Sequence, residues 1–277
     1  MSYLHILVLA IVQGLAELLP VSSSAHVILT EKWLGLDPTA PSMTLLLVML
    51  HTGTMFAVIY YFWNSWKNTY FSSREQFRIQ FTRIVAATVA TGILGLAMLK
   101  IIPHVLGIKD HFEIEQIFGN SRLIAGSLAA AGMLIFVSGI QNMRAPSEGT
   151  MNNGQSILIG LIQGLCLPFR GFSRSGATIS LALLMNIGRR QAEEFSFALA
   201  VVLTPAVVVR ELWRVLKHPH PDLMTVLTPS LAGMVFSFFA GLVALKWLSH
   251  WLERGKWHYF GIYCLIMSAI VFLSAHS

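Results

Sequence analysis

Apolar runs separated by short polar breaks govern this chain, and two of the breaks fall within a run. The first run, about 4–19, stops at Pro20. After Ser22, Ser23 and Ser24 a second short run, about 25–36, closes on Asp37-Pro38. Fuller runs follow at about 42–63, 84–106 and 123–141. Each approaches the ~20 residues an α-helix needs to cross a hydrocarbon core. The stretch 144–155, rich in Gly, Ser, Asn and Pro, reads as a linker.

Beyond the linker the pattern returns. A short run at 157–167 breaks at Pro168, and Ser173-Arg174-Ser175 make a polar turn. Another short run at 177–187 ends at Gly188-Arg189-Arg190, and fuller runs occupy about 195–212, 226–248 and 259–275. Gln13-Gly14-Leu15 reappears as Gln163-Gly164-Leu165, and Val21-Ser22-Ser23-Ser24-Ala25 is matched by Phe172-Ser173-Arg174-Ser175-Gly176.

The expected fold is an all-α integral membrane protein of two repeats, 1–143 and 156–277. Each holds one re-entrant helical hairpin, at about 4–36 and 156–187, and three transmembrane helices. Broken backbone at membrane depth is tolerated where it packs in protein or lines a cavity. A hairpin returns to its own side, so each half crosses an odd number of times and the second is inverted. The polar tips, Gln13 to His26 and Gln163 to Thr178, are then expected to meet near the midplane and form one site, as in many transporters.

Composition agrees. Of 277 residues 55% are hydrophobic and 12% charged, against about 25% charged in soluble domains; mean hydropathy is +0.66. The net charge of +6 comes from basic residues clustered between apolar runs, which reads as topology and phosphate-facing charge and not as a nucleic-acid surface. Arg74, Arg78, Arg83, Arg144, Arg189, Arg190, Arg254 and Lys256 mark the expected cytoplasmic face. Cys166 and Cys264 lie in apolar runs, with no disulfide or zinc spacing. No Lys or Arg precedes the first run, so a cleaved signal peptide is not expected.

Glu17, His26 and Arg174 are the polar groups that apolar surroundings explain least. An ionised residue at mid-membrane costs roughly 2.5–3.5 kcal/mol on insertion scales. A structural Glu17–Arg174 ion pair would account for two of them, but not for the serines around them. Arg174 opens a short helix with Ser173, Ser175, Gly176, Ala177 and Thr178. Helix N–H groups, hydroxyls and a guanidinium fork together suit a phosphate. Ser22, Ser23 and Ser24 offer nucleophiles near His26 and Glu17, although capping explains any one serine taken alone. Gln13, one turn before Glu17, could share a metal or a water. His51 reads as a core histidine, Glu193 and Glu194 as a solvated charge cluster, and His104, His111, His218 and His220 as loop residues.

Gln13-xxx-Glu17 followed by Leu19-Pro20-Val21-Ser22-Ser23-Ser24-Ala25-His26 resembles the signature of the undecaprenyl-diphosphate phosphatase family, the bacitracin-resistance proteins. Gly171-Phe172-Ser173-Arg174-Ser175-Gly176-Ala177-Thr178-Ile179-Ser180 resembles that family's second motif, and Glu194-Phe195-Ser196-Phe197 a further shared segment. The resemblance implies a multi-pass phosphatase of the bacterial inner membrane. It would act on a polyprenyl diphosphate in the bilayer, with its site opening to the outer face, and recycle the carrier lipid of cell-wall synthesis. It implies a divalent cation, Mg²⁺ or Ca²⁺, with Glu17 serving the metal or acting as general acid/base, Ser23 or His26 as nucleophile and Arg174 on the phosphates. Gln13 stands where the family often has a second Glu, and Arg170 where it has Pro. A polyprenyl-phosphate transporter or flippase is the alternative, and whether the chain forms a homodimer is left open.

Overall fold

A computed structural model of the chain describes residues 2–37, 41–105, 120–217 and 223–274. Ten helices are described, in the order α1 (Tyr3–Leu18), α2 (Ser23–Trp33), α3 (Pro41–Tyr70), α4 (Arg74–Val105), α5 (Ser121–Arg144), α6 (Asn153–Cys166), α7 (Arg174–Leu184), α8 (Arg189–Lys217), α9 (Leu223–Glu253) and α10 (His258–Ser274). No strand occurs among the described residues; one isolated bridge joins Gly149 to Ile187.

Among the described residues, five helical segments are long and apolar enough to cross a membrane: Met43–Tyr70, Arg74–Ile102, Ser121–Arg144, Arg189–Arg210 and Leu227–Glu253. The sixth expected crossing falls on α10, whose 17 residues are short for a full span. His111, His218 and His220 lie outside the described residues.

The order of helix lengths, two short and then the longer ones, occurs twice. The short helices begin earlier than apolar periodicity suggests: α2 at Ser23 and not near Ala25, α6 at Asn153, α7 at Arg174 and not Ala177. Polar residues in a first turn satisfy N–H groups that the helix cannot. At α6, Asn152 accepts from Gln155 N while the Gln155 side chain accepts from Asn152 N, a capping box.

Packing resolves two compact units. The first comprises Met1–Leu19, Ser23–Ser65 and Ala200–Leu248. Its core gathers Ile6, Leu9, Ala10, Val27, Met43, Leu46 and Leu50. α1 and α3 lie close against α9: a Cβ at Gly14 would stand 2.5 Å from Ala240 Cβ and 2.8 Å from Ser237 O. The Ser237 hydroxyl donates to Leu50 O at 2.7 Å.

The second unit comprises Pro20–Ser22, Trp66–Leu199 and Ser249–Ser277. α4 and α6 approach backbone to backbone, since a Cβ at Gly160 would overlap Ala87 O and one at Gly164 would lie 2.7 Å from Thr91 O. Thr91 donates to Gly160 O at 2.8 Å across that seam. α5 and α10 meet in the same way: a Cβ at Gly261 would stand 2.5 Å from Phe136 N, and one at Gly132 2.9 Å from Cys264 Cβ. The segment after α5 is tied down, with Asn142 Nδ2 donating to Ser147 Oγ (2.7 Å) and Ser147 Oγ to Leu183 O (3.0 Å).

Candidate functional site

The expected residues divide between the units. Gln13, Glu17, Ser23, Ser24 and His26 belong to the first; Ser22 and the run Ser173 to Thr178 belong to the second.

In the first unit α1 carries Gln13 and Glu17 one turn apart, on the face that its close packing at Gly14 fixes. Pro20 ends the apolar run, and the chain turns through Ser22 at φ 68°. A left-handed conformation at a residue with a Cβ is strained, and such strain concentrates at functional sites. α2 then opens at Ser23. Three groups converge on one Glu17 oxygen: Ser23 Oγ donates to Oε2 at 2.6 Å, Gln13 Nε2 donates at 3.2 Å, and His51 Nε2 stands 3.5 Å away. Gln13 is 1% exposed, whereas Ser23, Ser24 and His26 are half-buried.

His51 is the residue that sequence reasoning set aside. It sits on α3, and its Nδ1 lies 2.8 Å from Leu47 O. That contact is local and legible; the approach to Glu17 is tertiary and left no mark in the pattern.

In the second unit Gly171 adopts φ 101°, and a Cβ there would come 2.5 Å from Ile124 O, so the turn into α7 requires glycine. Ser173 caps the helix: its hydroxyl accepts from Gly176 N at 3.2 Å, and its carbonyl accepts from Ala177 N at 2.9 Å. Thr178 donates to Arg174 O at 2.9 Å, and its hydroxyl lies 2.6 Å from Ser196 Oγ on α8. Trp257 Nε1 donates to Ser180 at 3.0 Å. The Gly176 and Ala177 N–H groups and the Thr178 hydroxyl, all expected at a phosphate, are thus hydrogen-bonded within the fold. The Arg174 side chain is half-buried at the helix start. Cys166 is buried, and its thiol donates to Ile162 O at 3.0 Å.

Glu193 and Glu194 are not solvated. They are 4% and 3% exposed; Ser249 donates to Glu193, and Arg190 pairs with Glu194 at 2.9 Å. The i,i+4 spacing of Arg190 and Glu194 carried that pairing in the sequence; the contact of Glu193 with Ser249 on α9 is tertiary and did not show there. Among the described residues no three His, Cys, Asp or Glu side chains gather around a common metal position.

Comparison with known proteins gives consistent matches. The family model described as bacitracin resistance protein BacA matches residues 6–270. A protein named undecaprenyl-diphosphatase 2 in Acinetobacter baylyi is 57% identical, over 98% of this chain and 97% of its own. Undecaprenyl-diphosphatases of Syntrophotalea carbinolica and Korarchaeum cryptofilum are 33% and 31% identical, each over 98% of both chains.

Proposed function

The chain belongs to the bacitracin-resistance protein BacA family, and from that membership we propose that it is an integral membrane phosphatase acting on undecaprenyl diphosphate. It yields inorganic phosphate and undecaprenyl phosphate. The observation that carries the chemistry is the Ser23 hydroxyl donating to the Glu17 carboxylate at 2.6 Å, an alcohol already on its base.

Ser23 Oγ attacks the terminal phosphorus as its proton passes to Glu17. The bond from that phosphorus to the bridging oxygen breaks, and undecaprenyl phosphate leaves. Water then attacks the phosphoserine; Glu17 returns the proton to the Ser23 oxygen, and inorganic phosphate departs. His26, one turn along α2 from Ser23, is the other candidate nucleophile.

Arg174 supplies a bidentate fork to the phosphate oxygens, aided by the N–H groups of the first helical residues, Arg174 and Ser175. Ser173 accepts from Gly176 and keeps its own proton to donate, and Ser22, Ser24 and Ser175 add hydroxyls. Gly176, Ala177 and Thr178 serve by holding the helix start in place. The pairing of the Glu17–Ser23 set with the Arg174 set on one diphosphate rests on their complementary chemistry.

A divalent cation would be held by the Glu17 carboxylate, with the Gln13 amide, whose nitrogen donates to Glu17 Oε2, turning its oxygen inward and diphosphate oxygens completing the shell. When bound, Mg²⁺ or Ca²⁺ neutralises charge on the phosphates. The pairs α1–α2 and α6–α7 fit re-entrant hairpins of two inverted repeats, 1–143 and 156–277, in the inner membrane with the site opening outward.

Phosphate release from a C55 diphosphate by detergent-solubilised protein tests the reading. Release without any membrane gradient is expected. Gradient-dependent lipid movement without hydrolysis would replace it with the transporter reading.

A further inference from the structure

We propose that the start of α4 is a binding surface for an anionic phospholipid. Arg74 and Arg78 take the headgroup phosphate, and Phe71, Phe77 and Phe81 stand against the acyl chains just beneath it. The proposal does not depend on the phosphatase reading.

α4 is longer than a bilayer core requires. Its 32 residues rise roughly 48 Å, against ~30 Å of hydrocarbon, so part of the helix stands among headgroups. Of the five candidate spans, Arg74–Ile102 is the one least covered by the protein itself. One side of it is closed: Gln80, Ala87 and Thr91 are buried, and Thr91 donates to Gly160 O on α6.

The opposite side is open, and along it the side chains change in the order that a lipid does. Ile93, Val89 and Val85 are exposed and apolar, Phe81 and Phe77 follow, and the exposed Arg78 and Arg74 come last. From Ile93 to Arg78 the helix rises roughly 22 Å, about half of a bilayer of ~40–45 Å with its headgroups. The rings form a continuous ladder. Phe71 stacks on Phe77 and Phe77 on Phe81, each pair with centroids 5.7 Å apart, at 29° and 23° between planes. All three are exposed. Phenylalanine has no polar atom to offer water, so an open stack of three suits the boundary between headgroups and acyl chains.

The charges select the lipid. Arg83 is turned to the closed side, where it donates to Asn153 Oδ1 at 3.2 Å. Among the described residues no carboxylate pairs with Arg74 or Arg78. Glu75, the one acid between 71 and 83, lies roughly a quarter-turn round from Arg74. Two guanidinium groups one turn apart suit the oxygens of a phosphodiester and are drawn to an anionic leaflet. A second copy of the chain fits this face less well. Inserted the same way, it would bring its own arginines to the same depth and set like charges together.

The test places a photoreactive group on the surface itself. Full-length Phe77→benzoylphenylalanine protein is irradiated in phosphatidylcholine vesicles that hold a minor share of phosphatidylglycerol, and the adducts are identified by mass. Phosphatidylglycerol is expected at least about fivefold above its share of the vesicle, the factor that one basic residue contributes at an anionic surface. Arg74→Gln with Arg78→Gln should return the ratio to the vesicle composition. Arg74→Lys with Arg78→Lys should keep most of the enrichment, which separates lost charge from altered folding. Met133→benzoylphenylalanine, at an exposed position in the middle of α5, should report the vesicle composition. Adducts at the vesicle ratio from position 77, or a cross-link there to a second copy of the chain, would overturn the proposal. So would adducts of polyprenyl phosphate in place of phosphatidylglycerol when both lipids are present in equal amount, which would make the face a carrier-lipid site.

Discussion

Ser23 Oγ lies 2.6 Å from Glu17 Oε2, across a chain break of Leu19, Pro20, Val21 and Ser22 between two helices. That length is a well-formed hydrogen bond from a hydroxyl to a carboxyl oxygen. The break thus brings an acid on α1 and an alcohol on α2 into contact, with His51 of α3 beside them.

The first prediction concerns that pair. Ser23→Ala should abolish an acid-stable phosphoenzyme trapped with labelled diphosphate, and Glu17→Gln should lower kcat by about 10²–10⁴-fold. Acid-labile label that survives in Ser23→Ala and disappears in His26→Ala would make histidine the nucleophile.

Arg174 is predicted to be irreplaceable by charge alone. Arg174→Ala should cost about 10²–10³ in kcat, the usual loss for one preorganised donor. Arg174→Lys should recover only part, because an ammonium lacks the planar fork. Insertion and melting temperature should stay near wild type in both; equal turnover in Lys and Arg proteins would refute the bidentate clamp.

Thr178 and Ser196 share a buried hydroxyl contact of 2.6 Å. Ser196→Ala or Thr178→Val should each reduce stability by about 1–3 kcal/mol, since each strands a buried polar group. The double variant should lose less than the sum of the two. Thermal unfolding in detergent measures all three, and strict additivity would show that the hydroxyls act independently.

Gly160 and Gly126 make a matched pair. A methyl at Gly160 would overlap Ala87 O, whereas one at Gly126 meets nothing within 4 Å. Gly160→Ala should therefore destabilise by about 1–3 kcal/mol or more, while Gly126→Ala should be neutral or slightly stabilising. Equal melting temperatures would show that the α4–α6 seam can part without penalty.

The contacts of Glu17 with Gln13 and Ser23 were legible because they are local. Gln13, Glu17 and Ser23 lie within eleven consecutive residues, and polar side chains there stand out against apolar neighbours. The helix order was legible for the same reason, since Pro20 and Pro168 break runs that length alone would continue. His51 was not, because its partner lies on another helix and its own surroundings are those of any core histidine. Glu193 and Glu194 misled for the opposite reason: two acids beside two arginines look solvated, yet both are buried, with Glu193 accepting from Ser249 and Glu194 paired with Arg190. Thr178 shows a third limit. A hydroxyl in a phosphate-like motif and a hydroxyl that fastens one helix to the next are written with the same residue.

The glycine seam of α5 and α10 has a consequence in time. Roughly a hundred residues separate Arg144 from His258, and chains grow at ~5–20 residues per second, so α5 waits on the order of ten seconds for its partner to be made. During that interval Gly132 and Gly139 face lipid or a provisional neighbour, and the second unit cannot close. Ribosomes stalled before Phe260 should hold an inserted but open chain, which makes the last helix the step that commits the whole unit to its final form.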